Sequence, residues 1–233
     1  MTKSKTELAP ADEGFSLISN RKLLTLYAAM VECRRIAEGV RGRRKRNGAS
    51  SVLGHEATAV GAAIDLLADD TIVAGRWPEA ALKAINPVVS VASSASRATR
   101  STLAQQDSRK VTLLFSPSSA SAQPSWLRAL TQAADHNLPI LFVSLPLASL
   151  FGPAAASAAP GAETVPTKRR GYAFPLIGVD GHDVVAVFRV ASEAIAHARK
   201  GHGPTLIDCR ITGPGDPLEN MRKYLSSKGL YPG

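Results

Sequence analysis

An α/β fold, a parallel sheet with helices on both faces, is the arrangement this sequence predicts, and three observations carry it. Short apolar runs alternate with helical stretches from Asn20 onward, as they do where strands of one parallel sheet are joined through helices. The runs Val111–Phe115 and Ile140–Ser144 are apolar almost throughout, which is how strands covered on both faces read. The chain has 233 residues and 45% hydrophobic composition, enough for one substantial core. Residues 20–233 are therefore expected to form a single domain behind a flexible segment, residues 1–19.

In order along the chain, Asn20 precedes RKLLTLYAAMVECRRIAEGV, where Leu23, Leu24, Tyr27, Met30, Val31 and Ile36 recur near helical spacing. This predicts an amphipathic helix capped by Asn20. A basic, glycine-bearing loop follows, and then GHEATAVGAAIDLLADD, a helix whose Gly61, Ala62 and Ala63 permit close approach of a neighbour. Residues 87–110, rich in alanine and serine, predict a helix feeding the strand at Val111. Residues 122–136 predict the helix between the two apolar strands, which should lie parallel within one sheet. Residues 149–170 lack periodicity and read as a long loop. Val179-Asp180-Gly181 marks a strand entering a turn, Asp183 is a candidate N-cap, and GHGPTLIDCRI stops a helix and begins a strand.

The formal charge of +9 permits association with nucleic acid, acidic proteins or anionic membrane without choosing among them. Its densest part is Arg41, Arg43, Arg44, Lys45 and Arg46. No nucleic-acid module surrounds that run and aromatic residues are sparse, so it reads as a solvated loop or a subunit contact. Cys33 and Cys209 show no metal-ligand spacing and are expected as reduced core thiols. No apolar run follows the first lysines or approaches the length of a membrane span, so a cytoplasmic chain without membrane contact is expected. The five histidines form no triad or zinc pattern, HEAT at 55–58 lacks the second histidine of a metalloprotease helix, and no Gly-x-Ser-x-Gly elbow occurs. No catalytic residue and no metal ligand is assigned.

Residues 111–147, VTLLFSPSSASAQPSWLRALTQAADHNLPILFVSLPL, resemble the segment that grips the cofactor diphosphate in the alpha subunit of thiamine diphosphate-dependent 2-oxo acid dehydrogenases, the pyruvate dehydrogenase type. In that first-component subunit the first strand ends in Gly-Asp-Gly, the helix carries Glu-Ala-Leu-Asn and the second strand ends in a pair of asparagines. Arg34-Arg35-x-x-Glu38, the basic loop and Gly54-His55-Glu56-Ala57 resemble the family's amino-terminal region, where Gly-Gln-Glu-Ala is usual. The run from Gly171 to Ile211 resembles its Val-Asp-Gly-x-Asp, helix, Gly-Pro-Thr-Leu-Ile stretch, and DPLENMRKYLSSKGL its last helix. With gaps, the resemblance runs from Leu23 to Leu230 in a chain shorter than those subunits.

The resemblance implies the thiamine diphosphate-binding α/β fold. It also implies magnesium thiamine diphosphate held against a beta-type subunit, decarboxylation of a 2-oxo acid and transfer of the acyl group to lipoamide. The residues depart from that pattern where the ligands should be. Aligned without a gap, Pro117-Ser118-Ser119 falls on Gly-Asp-Gly and Pro146-Leu147 on the asparagines. Magnesium demands oxygen ligands in near-ideal octahedral geometry; the Ser118 hydroxyl is a poor substitute for a carboxylate, and Pro146 has no side-chain oxygen. Pro117 also fixes φ and removes an N–H donor beside the phosphates. The loop that carries a histidine in the family is reduced to Thr212–Gly215. The Tyr-Arg-Asp-His-Gly-His segment is represented by GRWPEAAL, where Arg76 matches one phosphate-facing arginine.

Ser118, Ser119 and Arg76 are thus expected as degenerate or weak cofactor-binding positions. The serine cluster at 116–121 reads either as helix capping or as a weak anion site at a helix N-terminus. A catalytically degenerate alpha-like subunit with an assembly or regulatory role is expected. It would bind no cofactor and would pair with itself or with a beta-type dehydrogenase subunit through the helix Gly54–Leu67. Two alternatives stay open: an active oxidoreductase using thiamine diphosphate and magnesium, completed by a beta-type partner, and a basic scaffold for anions or nucleic acid.

Overall fold

The computed structural model describes residues 18–43, 53–73, 77, 79–92, 102, 109–117, 124–145, 174–211 and 215–231. Its strands are β1 (Thr71–Val73), β2 (Ser90–Ala92), β3 (Thr112–Pro117), β4 (Ile140–Leu145), β5 (Leu176–Asp180) and β6 (Thr205–Arg210). All join one sheet in the order β2-β1-β3-β4-β6-β5, and every pairing is parallel. The helices are α1 (Asn20–Arg43), α2 (Glu56–Ala63), α3 (Glu79–Ile85), α4 (Pro124–Asp135), α5 (Val184–Arg199) and α6 (Pro217–Ser227).

Strand alternation divides the core. Leu113 and Phe115 of β3, Leu141, Val143 and Leu145 of β4, and Ile207 and Cys209 of β6 face the cluster built with α1, α2, α3, α5 and α6. Leu114, Ile140, Phe142 and Leu206 point the other way, onto Trp126, Leu130 and Ala133 of α4. Both faces are therefore covered, as the apolar strands require. β3 and β4 are parallel in register from Thr112↔Ile140 to Pro117↔Leu145, so the expected pairing is present.

Local signals at the helix ends are realised in part. Asp183 caps α5 as expected, accepting from the Val185 and Ala186 amides, and Asp216 caps α6 in the same way through Leu218 and Glu219. The cap of α1 is Ser19 rather than Asn20. Its Oγ accepts from the Lys22 amide at 3.3 Å and its carbonyl from the Leu23 amide at 3.0 Å, while Ile18 before it is buried in the core. The buried stripe of α1 is Leu23, Leu26, Met30, Cys33 and Ala37; Leu24 and Val31, counted with the apolar face in the sequence, are exposed.

The helix expected over Gly54–Leu67 is shorter, and its role differs. It ends at Ala63 because the following carbonyls find partners outside a helix: Asn86 Nδ2 donates to Ala63 O at 3.0 Å and to Leu66 O at 2.8 Å. Every residue of α2 is buried, in contact with α1, α3, α5 and α6. Its close approach is to α5 of the same chain, since a Cβ on Gly61 would lie 2.9 Å from Val187 Cβ. α2 is thus unavailable as the surface on which a second subunit pairs. Within the run read as a helix over 87–110, Ser90–Ala92 is instead an edge strand, held by β1 through Thr71↔Ser90. β1, β2 and α3 had no signal of their own, and the long loop expected over 149–170 lies outside the described residues.

Candidate functional site

In an open parallel sheet, ligands bind beyond the carboxyl ends of the strands where strand order reverses. Here that place lies between β1 and β3, because the chain passes from β1 outward to β2 and then back across to β3. Arg76 follows β1 by three residues, and Ser118 and Ser119 directly follow β3. All three expected positions, and Pro146 after β4, lie outside the described residues. What the structure supplies is the framework that delivers the chain to them.

That framework is aromatic on the helix-rich face. Trp77, next to Arg76 in sequence, stacks on Phe115 near the end of β3 with centroids 4.7 Å apart, and the His55 ring lies 6.0 Å from the Trp77 ring. His55 is buried, and desolvation, reinforced by the nearby His182, lowers its pKa to about 4. A neutral imidazole therefore sits at the start of α2 at pH 7. The sequence offered only the motif Gly-His-Glu-Ala, and the metalloprotease comparison missed the packing role of His55.

On the α4 face, Ser116, Ser144 and Asp208 stand opposite one another in register across β3, β4 and β6, all buried. Arg210 Nε donates to Asp208 at 2.8 Å. Ser144 Oγ and, in α4, Trp126 Nε1 are buried without a hydrogen-bond partner among the described residues; a buried polar group left unpaired costs about 1–3 kcal/mol. Among the described residues no group of three or more His, Cys, Asp or Glu is placed to hold a metal ion.

A second cluster ties the amino-terminal helices to α6. Arg34 of α1 donates through Nε to the wholly buried Glu56 at 2.9 Å and through Nη1 to Asp216. The other Glu56 oxygen accepts from the Gly54 amide at 3.0 Å. Each charge in this cluster has an opposite partner, so it is a brace rather than an acid–base pair. Thr58 Oγ1 donates to Gly181 O at 2.9 Å, linking α2 to the turn after β5. Burial pushes the Cys33 and Cys209 thiols up to about 12, so neither is a thiolate nucleophile at neutral pH.

His197 and His202 face each other at the end of α5, with centroids 4.8 Å apart, where the expected end-of-helix position puts them. No helix among the described residues is long and apolar enough to cross a membrane.

Sequence comparison places this geometry in a family. The chain is 33% identical over 105 residues to the alpha subunit of the acetoin:2,6-dichlorophenolindophenol oxidoreductase of Bacillus subtilis, covering 45% of this chain and 31% of that one. It is 31% identical over 157 residues to the alpha subunit of the 3-methyl-2-oxobutanoate dehydrogenase of Mycobacterium tuberculosis, covering 54% and 40%. With the chloroplastic pyruvate dehydrogenase E1 component subunit alpha-3 of Arabidopsis thaliana the identity is 34% over 166 residues, covering 62% and 38%. The chain thus spans between 31% and 40% of the length of these relatives. The model of the dehydrogenase E1 component family matches residues 6–212, across the whole parallel sheet and the helices between its strands. An alpha-subunit-like sequence, a six-stranded parallel α/β sheet and a match over most of its length identify the chain as a member of the dehydrogenase E1 component family.

Proposed function

We propose that this chain is an alpha-like subunit of the 2-oxo acid, pyruvate-type, dehydrogenase class that serves assembly or regulation and does not carry the cofactor chemistry. The chemistry of the donor set at the adjoining ends of β3 and β4 supports this reading most directly. Pro117 and Leu145 are partners in register, so the next residues in sequence, Ser118 and Pro146, continue from neighbouring strands. These are the positions where the resemblance calls for a carboxylate and an amide oxygen. A hydroxyl and a pyrrolidine ring do not fit a hard divalent cation that needs octahedral oxygen ligation. Ser144 Oγ, just before on β4, is buried without a hydrogen-bond partner among the described residues, and a hydroxyl there is no carboxylate or amide oxygen. Ser118, Ser119 and Arg76 remain at most weak contacts for an anion.

The partner in this reading is a second copy or a beta-type dehydrogenase subunit, and the setting is the cytoplasm. Because α2 is enclosed, the pairing surface lies on other elements.

Titration calorimetry with thiamine diphosphate, with and without magnesium, tests the reading. No magnesium-dependent saturation in the micromolar range and no decarboxylation of pyruvate or branched-chain 2-oxo acids are expected. Ser118→Asp with Pro146→Asn should restore partial binding without turnover. Micromolar, magnesium-dependent binding by the unmodified chain would overturn the reading in favour of an active enzyme completed by a beta-type partner.

A further inference from the structure

α1 carries apolar residues on two faces, and the fold uses one of them. Leu23, Leu26, Met30, Cys33 and Ala37 are buried against the rest of the chain. On the other side Leu24 and Val31 are 42% and 40% exposed. Ala28 between them is exposed as well, and so are Arg21, Arg35 and Glu38. Positions 21, 24, 28, 31, 35 and 38 follow one another at alternating spacings of three and four, the a/d repeat of a coiled-coil seam. At 3.6 residues per turn they share a stripe about 100° wide, on the side of the helix away from the buried one. From Arg21 to Glu38 the seam is roughly 26 Å long.

The charges along the stripe say what covers it. A second copy packed parallel would set Arg21, Arg35 and Glu38 each against its own like charge, which is unfavourable. Packed antiparallel, the seam is complementary to itself. Arg21 then stands opposite Glu38, Leu24 opposite Arg35 and Ala28 opposite Val31, and the same three pairings recur across the two-fold axis. The small Ala28 leaves room for Val31. Arg35 holds its guanidinium against Glu32 of its own helix at 2.6 Å, so its aliphatic stem is left to lie along Leu24. Arg21 and Glu38 form no ion pair among the described residues, and each keeps its charge for the other copy.

We propose that two copies of this chain pair through an antiparallel α1–α1 seam running from Arg21 to Glu38. This builds on the reading of the chain as an assembling subunit and supplies its surface, whether or not cofactor binds. Three apolar residues per copy make an interface below the standard size. The formal charge of +9 opposes self-association, although at physiological salt that repulsion is screened beyond about 8 Å. The pair is therefore weak, with a Kd on the order of 10–100 µM.

Sedimentation equilibrium of the full chain at physiological salt, from about 1 µM to about 1 mM, tests the seam. The parent chain should pass from monomer to dimer over that range. Arg21→Glu and Glu38→Arg each make both interchain pairs repulsive, and each should weaken the dimer by at least about tenfold. An equimolar mixture of the two variants restores both attractions and should pair like the parent. Val31→Glu puts a charge at the centre of the seam and should leave only monomer. All three positions are exposed, so the variants should match the parent in circular dichroism and urea midpoint. A parent chain that stays monomeric throughout overturns the proposal and leaves the stripe to a different chain, such as a beta-type subunit. A dimer that tolerates Val31→Glu, or a mixture that pairs no better than either variant alone, overturns it too and moves self-assembly to another surface. Neither result bears on the cofactor, which the calorimetric titration reads separately.

Discussion

Gly61→Ala is the substitution in which two opposed effects can be separated most cleanly. Alanine favours an interior helical position over glycine by about 0.8–1.0 kcal/mol, so propensity alone predicts a gain. Packing reverses the sign. The added methyl carbon would stand 2.9 Å from both Cβ and Cγ1 of Val187 and 3.0 Å from the Phe188 backbone nitrogen, against an optimal carbon–carbon separation of about 3.5–4.0 Å. A valine has little χ1 freedom in a helix, and the Phe188 nitrogen moves only with α5 itself. Helices α2 and α5 must therefore part by roughly 0.5–1 Å to reach that optimum, at an overpacking cost of typically about 1–3 kcal/mol. The net expectation is a loss of up to about 2 kcal/mol, against the gain that propensity alone predicts.

Gly39→Ala is the internal control. Gly39 is in α1, and a methyl group added there would meet nothing within 4 Å, so only propensity acts and stability should rise by up to about 1 kcal/mol. Urea unfolding followed by circular dichroism measures both variants, with the m value checked for constancy. Equal stabilisation by the two substitutions would refute the close α2–α5 contact.

The remaining predictions concern buried charge and pH. Arg199→Met removes the fork that donates to both oxygens of the fully buried Asp70 and to the Arg109 carbonyl. It should cost about 3–5 kcal/mol in urea unfolding, because the carboxylate stays buried with only the Leu67 and Val111 amides; a loss below about 1 kcal/mol would contradict the pairing. His55 has a folded pKa lowered from 6.5 to about 4, so its stabilising share is complete above pH 6.5 and is lost as pH falls towards 4. At pH 5 that loss amounts to about 2 kcal/mol. His55→Gln should flatten this part of the pH–stability curve, and an unchanged slope would place the titration elsewhere.

Much of the fold was legible because it rests on signals confined to neighbouring residues. The apolar runs that became β3 and β4, the Asp183 cap and the Gly-His-Gly-Pro stop before β6 each depend on residues a few positions apart. The identities of Ser118 and Pro146, on which the proposed loss of ligand oxygens rests, are likewise read directly from the sequence. β1 and β2 were not legible, since three residues each become strands only by pairing with what lies beside them.

The sequence by itself determined the alternation of helix and strand, the family resemblance and the chemistry available at the two strand ends. Tertiary structure alone decided which groups meet. Asp70 and Arg199 are 129 positions apart, Thr58 reaches the Gly181 carbonyl across 123, and the small residues of α2 serve an intrachain contact instead of a subunit interface. Local signals follow from backbone preference and side-chain spacing, which act over one or two helical turns. Burial and ion pairing depend on the packing of whole elements, and no spacing along the chain encodes it.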